Sequence, residues 1–343
     1  MDHEKNNQDL RVVAWETTRR CELKCLHCRG SARNQDYPGE LSTDEGFRLI
    51  DGIASFAKPV LILTGGEPMT RADIYDLASR ASGLGLRVVM APCGPLINKD
   101  TAGKIRQSGI QKISISLDGA SAVAHDAFRG VKGAFDSAVN GIQHAKDAGL
   151  EFQVNTTVTR NNVSELPAIL ELATNLGAVT LDLFFLVPTG RGTALKQLEI
   201  SPEEYEKALE WTAEASKHSA IVVKTTCAPH FARIQTQSTG KRGRAGGCMG
   251  GRGFAFVSHR GIVQPCGFLD LTCGDLRKEN FNFRKIYEES AVFKNLRDVD
   301  SYTGKCGYCE YRYVCGGCRA RAYAKNGEYL AEEPSCTYVP QRS

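Results

Sequence analysis

Arg20-Cys21-Glu22-Leu23-Lys24-Cys25-Leu26-His27-Cys28-Arg29 carries three cysteines in the spacing C-x3-C-x2-C, directly after a short apolar run from Val12 to Thr17. Thiolates ligate iron–sulfur clusters, and three at this spacing can hold three corners of a 4Fe–4S cube. The next cysteine, Cys93, is too distant in sequence to finish the same loop. One iron is thereby left open to chelate a small molecule, so the loop reads as a reagent rather than an electron relay. Structural zinc prefers four ligands, usually as two matched C-x2–4-C pairs, and this stretch offers no such match.

The other cysteines strengthen the metal reading. Of thirteen in the chain, three lie at 21–28, eight lie between 248 and 336, and Cys93 and Cys227 stand apart. The polar start Met1 to Asp9 is no signal peptide, so a cytoplasmic protein is expected, where disulfides are disfavoured. Two clusters of thiols then suggest two metal-binding regions. Hydrophobic residues at 42% and charged residues at 24% describe an ordinary globular chain, and no apolar run approaches the roughly 20 residues a membrane helix needs. A net charge of +4 is too mild for a nucleic-acid binder but suits a pocket for an acidic small molecule.

From residue 11 to about 190, β-rich apolar runs alternate with amphipathic stretches, the pattern of β/α units around a parallel sheet. Strands are expected at Val12–Thr17, Pro59–Thr64, Leu86–Ala91, Lys112–Leu117, Glu151–Val158 and Thr180–Val187. Helices are expected at Thr43–Phe56, Arg71–Gly83, Lys99–Ser108, Ala134–Ala148, Ser164–Leu176 and from Ser201 to His218. Periodicity alone leaves a doubly wound sheet and a partial barrel equally open. In either, chemistry sits at the carboxyl ends of the strands. The cysteine loop, Thr64-Gly65-Gly66-Glu67-Pro68, Ser116 to Gly119, Asn155 and Val187 to Gly192 all fall there. In the second of these, two glycines admit close backbone approach and Glu67 offers an acceptor for an ammonium group.

The cysteine triplet and the Gly-Gly-Glu-Pro turn one β/α unit later resemble the radical S-adenosylmethionine (SAM) enzymes. The resemblance implies an α/β fold, a partial (β/α)6 barrel with a small C-terminal iron–sulfur domain. It implies that Cys21, Cys25 and Cys28 hold a 4Fe–4S cluster whose open iron binds SAM. It further implies that Gly65, Gly66, Glu67 and Pro68 face the SAM amino group, that Ser116, Asp118, Asn155 and Val187 lie among the SAM contacts, and that His27 packs near the adenine.

The C-terminal spacing, Cys248-x12-Gly261-x4-Cys266 followed by Cys306-x2-Cys309-x5-Cys315-x2-Cys318 and Cys336, resembles the SPASM module, with x2 replacing its usual x3 before Cys318. By that resemblance Cys306, Cys309, Cys315 and Cys336 hold one auxiliary 4Fe–4S cluster, while a zinc knuckle is the alternative for the same thiols. Cys248, Cys266 and Cys318 would serve a second auxiliary cluster. Phe254 stands where the module often has a further cysteine, so that cluster is absent, has an open iron, or recruits Cys273. Cys93 and Cys227 are expected to be ordinary buried thiols. The organisation expected is a core at 1–200, a connecting helix and basic glycine-rich loop at 201–247, and the module at 248–343.

Strings such as Cys306 to Tyr323, Gly247 to Phe254 and Gln264-Pro-Cys-Gly-Phe268 are similar to the tetrapyrrole-modifying branch, in particular its heme b synthases. The implied substrate is iron-coproporphyrin III or a related tetrapyrrole, with an external electron donor and acceptor as partners. Its carboxylates call for forked donors, for which Arg19, Arg29, Arg191, Arg252, Arg319 and Arg321 are candidates, with Lys241, Arg242 and Arg244 as a basic loop. His125, His230 and His259 are candidates to approach the substrate iron. Related deacetylases and peptide maturases share parts of the pattern, although the eleven residues before the first strand are expected to be too few for a leader-binding domain. A plain iron–sulfur electron carrier would leave the Gly65-Gly66-Glu67 turn unexplained.

Overall fold

A computed structural model describes residues 9–240 and 247–341, so the basic loop residues Lys241, Arg242 and Arg244 lie outside the described residues. Seven strands follow one another in parallel: β1 (Val12–Thr18), β2 (Val60–Gly65), β3 (Arg87–Met90), β4 (Ile110–Ser116), β5 (Glu151–Val158), β6 (Thr180–Phe185) and β7 (Val222–Thr226). Between and after them come α1 (Thr43–Phe56), α2 (Ile74–Gly83), α3 (Lys99–Gln107), α4 (Ala122–Arg129), α5 (Ala134–Asp147), α6 (Leu166–Leu176), α7 (Pro202–His218) and α8 (His230–Thr239). The last part of the chain adds β8 (Phe254–Val257), β9 (Ile262–Gln264) and β10 (Gly274–Asp275), then α9 (Phe283–Glu289), α10 (Ala291–Arg297), α11 (Lys305–Tyr308) and α12 (Arg319–Asn326).

All ten strands form one sheet in the order β10-β9-β8-β1-β2-β3-β4-β5-β6-β7. Its end strands do not pair with each other, so the wall is open. β8 lies parallel to β1, with Val12–Trp15 opposite Phe254–Val257 on one side and opposite Val60–Leu63 on the other. The six expected strands are all present, and β7 adds a seventh parallel strand in the stretch read as a connector. Its sequence Val-Val-Lys-Thr-Thr is short and half polar because it pairs on one side only, with β6. The sheet signal is accordingly weak.

Local sequence explains the helices. Ser42 and Glu45 form a reciprocal capping box at the start of α1, and Gly46, Leu49, Ile50 and Ile53 recur on its buried face at helical spacing. Ser201 and Glu204 do the same for α7, with Pro202 at the first helical position. Helix α4 is an element that periodicity missed, because it is only two turns long. Ser121 capping the Ala124 amide and left-handed Gly130 at the other end were its visible signals. The core runs between sheet and helices and includes Trp15, Ile53, Leu61, Ile113, Val154 and Leu183, all fully buried. Truncating one such side chain, as in Ile53→Ala, would cost about 2–5 kcal/mol.

Candidate active site

The cysteine loop leaves β1 and is fixed from three directions. Lys24 and Leu26 donate their amides to the carbonyls of Arg129 and Phe128 at the end of α4. Arg191, in the loop after β6, donates Nε to the Cys25 carbonyl (2.8 Å) and Nη1 to the Ala32 carbonyl (2.6 Å). The Cys21 amide donates to Arg33. Cys21, Cys25 and Cys28 thereby share one small apolar cluster with Leu23 and Ala32. Two thiols receive donors already, Cys28 Sγ from the Ala32 amide (3.3 Å) and Cys25 Sγ from Arg129 Nη1 (3.6 Å).

Arg129 was not singled out by the sequence. Its guanidinium is buried and binds Asp118 Oδ2 at 2.6 Å, while Asp118 Oδ1 accepts the Thr157 amide at 2.7 Å. Burial alone would raise the Asp118 pKa, but Arg129 outweighs it and holds the carboxyl below its usual range. Asp118, expected among the SAM contacts, therefore spends both oxygens inside the protein, fixing an arginine that faces the cysteine loop.

The Gly-Gly-Glu-Pro turn closes against the same loop. A β-carbon on Gly65 would overlap the Thr18 carbonyl oxygen, and one on Gly66 the Arg20 carbonyl oxygen; Gly65 also has φ of 151°, which side chains rarely adopt. The Glu67 amide donates to the Arg20 carbonyl, so turn and cysteine loop are joined by backbone. Pro68 opens a single 3-10 turn. Glu67 is buried, its Oε1 accepting the Met69 amide (3.0 Å) and its Oε2 the Cys93 amide (2.6 Å). Burial raises its pKa, and no salt bridge compensates it among the described residues. Each oxygen keeps a lone pair, so a cationic amino group fits here. Cys93, expected to be an ordinary thiol, stands with its Sγ 3.9 Å from that of Cys21.

Ser116, the last residue of β4, pairs with Asn155, which the structure places in the middle of β5 rather than at its end, and Asn155 Oδ1 accepts Gln153 Nε2 at 2.8 Å. Val187 is buried beneath the C-terminal part of the chain, packed with Leu269, Leu296 and Cys318. His27 stacks on Phe128 with ring centroids 4.4 Å apart and planes within 5°. Burial pushes its pKa down to about 4, so the ring is neutral. His27 Nδ1, Thr189 Oγ1 and Arg191 Nη2 are buried without a hydrogen-bond partner. Unsatisfied polar atoms at one place point to a polar occupant.

The candidate carboxylate-binding arginines are mostly committed elsewhere. Arg19 and Arg29 both bind the buried Glu16 (3.2 and 3.0 Å), as does His259 Nδ1 (2.8 Å). Burial pushes the Glu16 carboxyl up, but Arg29, His259 and Arg19 together hold it down at about 2. Arg319 donates to the Gly317, Tyr329 and Ala331 carbonyls, and Arg321 to Glu333 and the Phe185, Leu186 and Cys227 carbonyls. These two are internal struts, because a sequence motif reports proximity to a cysteine but not which way a side chain turns. Arg252 donates to the Tyr313 carbonyl and keeps a buried, unpartnered Nε. His125 Nδ1 accepts the Asp118 amide, so this ring is an internal acceptor as well.

A thiol triad at a strand end, beside a Gly-Gly-Glu turn with an uncompensated carboxylate, matches one enzyme superfamily. The Radical SAM superfamily profile matches residues 15–173. An AdoMet-dependent heme synthase from Nitratidesulfovibrio vulgaris is 47% identical over 99% of this chain and 95% of its own length. The chain belongs to the radical SAM superfamily. A Fe-coproporphyrin III synthase from Methanosarcina barkeri is 31% identical over 95% of this chain and 87% of its own. The crystal structure of Streptococcus suis SuiB bound to S-adenosylmethionine shares the fold, with a TM-score of 0.78 at 14% identity over 98% of this chain and 80% of that one. Membership makes this chain an enzyme that uses a 4Fe–4S cluster and SAM.

This radical SAM enzyme has a second thiol-rich place. Cys306, Cys309, Cys315 and Cys336 line one cavity that is partly open to solvent, together with His230, Arg233 and Lys305. Both ring nitrogens of His230 and Arg233 Nε are buried and unpartnered in its wall. Four thiols facing orphaned donors fit a sulfur-rich cluster. Burial lowers the His230 pKa to about 4, leaving a neutral ring with one N–H to donate. Cys266 and Cys318 do not line this cavity and lie near Cys227, while Cys248 is close to both and donates its amide to the Cys315 carbonyl. Cys273 does not join them: its Sγ faces the Leu271 carbonyl and it packs on the main core. Among the described residues no helix is long and apolar enough to cross a membrane.

Proposed function

We propose that this enzyme converts iron-coproporphyrin III to heme b by oxidative decarboxylation of two propionates to vinyls. The observation that carries the reading is a three-thiol SAM site in the same chain as a separate four-thiol cavity, in a sequence matching AdoMet-dependent heme synthases from end to end. Each propionate-to-vinyl step releases carbon dioxide, one hydrogen atom and one electron. When bound, the SAM cluster supplies the 5'-deoxyadenosyl radical that takes the hydrogen atom from the carbon attached to the ring. The electron needs a separate acceptor, and the thiols at 306, 309, 315 and 336 would hold one, since iron–sulfur potentials span roughly −700 to +450 mV.

The chain's residues bind and orient. Glu67 and the turn at Gly65 and Gly66 would receive the SAM amino group, and His27, neutral and stacked, would border its adenine. Arg129 fixes Cys25 against Asp118. With Arg319 and Arg321 turned inward, Arg191 Nη2 and Arg252 Nε remain as buried donors for the non-reacting carboxylates. On this reading residues 1–200 are the catalytic core and 248–343 the auxiliary module, with 201–247 lending β7 to the sheet. Thirteen free thiols suit a reducing cytoplasm, with an external donor and acceptor completing the electron circuit.

Anaerobic incubation with iron-coproporphyrin III, SAM and dithionite, read by product mass, tests the reading. Loss of two carbon dioxide units is the expected result. Consumption of didecarboxysiroheme instead would move the enzyme to the deacetylases, and failure to bind any tetrapyrrole would remove it from this branch.

A further inference from the structure

We infer that Cys227 is the fourth thiolate of a second auxiliary cluster whose other ligands are Cys248, Cys266 and Cys318. The inference rests on the reading of the C-terminal region as an auxiliary iron–sulfur module. It assigns a ligand that no spacing rule supplies, because Cys227 precedes the module and directly follows β7.

Four segments bring the thiols together. The Cys227 and Cys318 side chains hydrogen-bond to each other. Cys227 and Cys266 both pack on the apolar cluster that contains Cys318. Cys248 Sγ and the Cys266 β-carbon face the same point beside Gly250, each 3.7 Å from it. A charge on Cys318 would be felt at Cys248, Cys266 and Cys227 alike. Four buried thiols gathered from separate segments at one place match the four-cysteine ligand set of a 4Fe–4S cluster.

The backbone at Cys227 is held in place for this task. It has φ of 59°, a left-handed conformation that non-glycine residues seldom adopt, and its carbonyl accepts both Tyr205 Oη (3.2 Å) and Arg321 Nη2 (3.1 Å). Arg321 lies one turn along the helix capped by Cys318, and Glu333 binds both the Arg321 guanidinium and the Cys318 amide. One network therefore positions Cys227 and Cys318 relative to each other. Cys273, the ligand that the sequence suggested, faces away toward Leu271 and Ser290.

The test uses full-length protein carrying Cys21→Ala, Cys25→Ala and Cys28→Ala, so that only auxiliary iron remains. After anaerobic reconstitution, iron and sulfide per chain and the spectrum of the reduced protein by electron paramagnetic resonance are compared with and without Cys227→Ala, Cys273→Ala or Cys315→Ala. The expected parent holds about eight irons per chain, two 4Fe–4S units. Cys227→Ala should remove about half of that iron, or leave a cluster whose altered spectrum is restored by an added small thiol. Cys315→Ala should remove the other half, and Cys273→Ala should change nothing. Circular dichroism and the surviving cluster signal report that each variant folds. Unchanged iron and spectrum in Cys227→Ala, or loss of the second signal in Cys273→Ala, would overturn the assignment. A parent with a single cluster would also overturn it, whereas a parent with no iron would overturn the module reading itself.

Discussion

Arg129 Nη1 donates to Cys25 Sγ across 3.6 Å, although 104 residues separate the two in sequence. The same guanidinium neutralises buried Asp118, so a single side chain links the β4 terminus to the cysteine loop. Removing it leaves a buried carboxylate with no counter-charge, held only by the Thr157 amide. Arg129→Gln should therefore lower stability by about 3–5 kcal/mol, seen as a lower urea midpoint of the cluster-free protein. An unchanged midpoint would mean that Asp118 is solvated or protonated after all.

Replacing Cys21, Cys25 and Cys28 together with alanine should abolish 5'-deoxyadenosine formation while iron in the C-terminal region stays bound. Chromatographic detection of deoxyadenosine decides it. SAM cleavage at the normal rate in that variant would refute the assigned triad.

Cys315→Ala empties one wall of the four-thiol cavity. Vinyl formation should fall far more than SAM cleavage, because abstraction precedes the electron transfer that needs an acceptor. Equal loss of both would point to a structural role for that cavity.

Gly65→Ala forces a β-carbon into the Thr18 carbonyl at a φ that alanine resists. A cost of about 1–3 kcal/mol at the turn corresponds to a roughly five- to 150-fold weakening of SAM binding if the turn moves. Equilibrium dialysis with labelled SAM measures this, and wild-type affinity would place the amino group elsewhere.

His125 gives a pH signature. Burial, with repulsion from Arg129, depresses its pKa from 6.5 to about 4, and Nδ1 accepts the Asp118 amide. Between those values the unfolded chain binds the proton and the folded chain does not, so stability is full above pH 6.5 and falls as pH drops toward 4. The loss from this group should reach about 2 kcal/mol at pH 5. His125→Asn keeps an acceptor without a titrating ring, and urea unfolding of that variant should show a shallower pH slope. Identical slopes would exclude His125 as the source.

Local chemistry made part of this molecule legible in advance. The Cys21–Cys28 spacing and the Gly65-Gly66-Glu67 turn declare themselves because one loop must present all the ligands, and six strands announced themselves through apolar runs buried on a sheet. What stayed hidden depends on distant partners. Cys93 beside Cys21, Arg129 beside Cys25 and Glu16 beneath Arg19, Arg29 and His259 are meetings of segments that no window of sequence contains. Arg319 and Arg321 show the converse error: neighbours of a motif in sequence, they turn inward as struts.

The pairing of β8 with β1 has a mechanical consequence. β1 delivers the chain into the cysteine loop and is laced on its outer side to the segment between Cys248 and Cys266. The two cysteine-bearing regions are thus rivets in one plate, with no hinge between them at this seam, and the spacing between their thiol groups is set by strand geometry. Cutting the chain before β8 would also strip β1 to a raw edge, inviting another chain to add to it. The two halves are better regarded as one instrument than as an enzyme with an attachment.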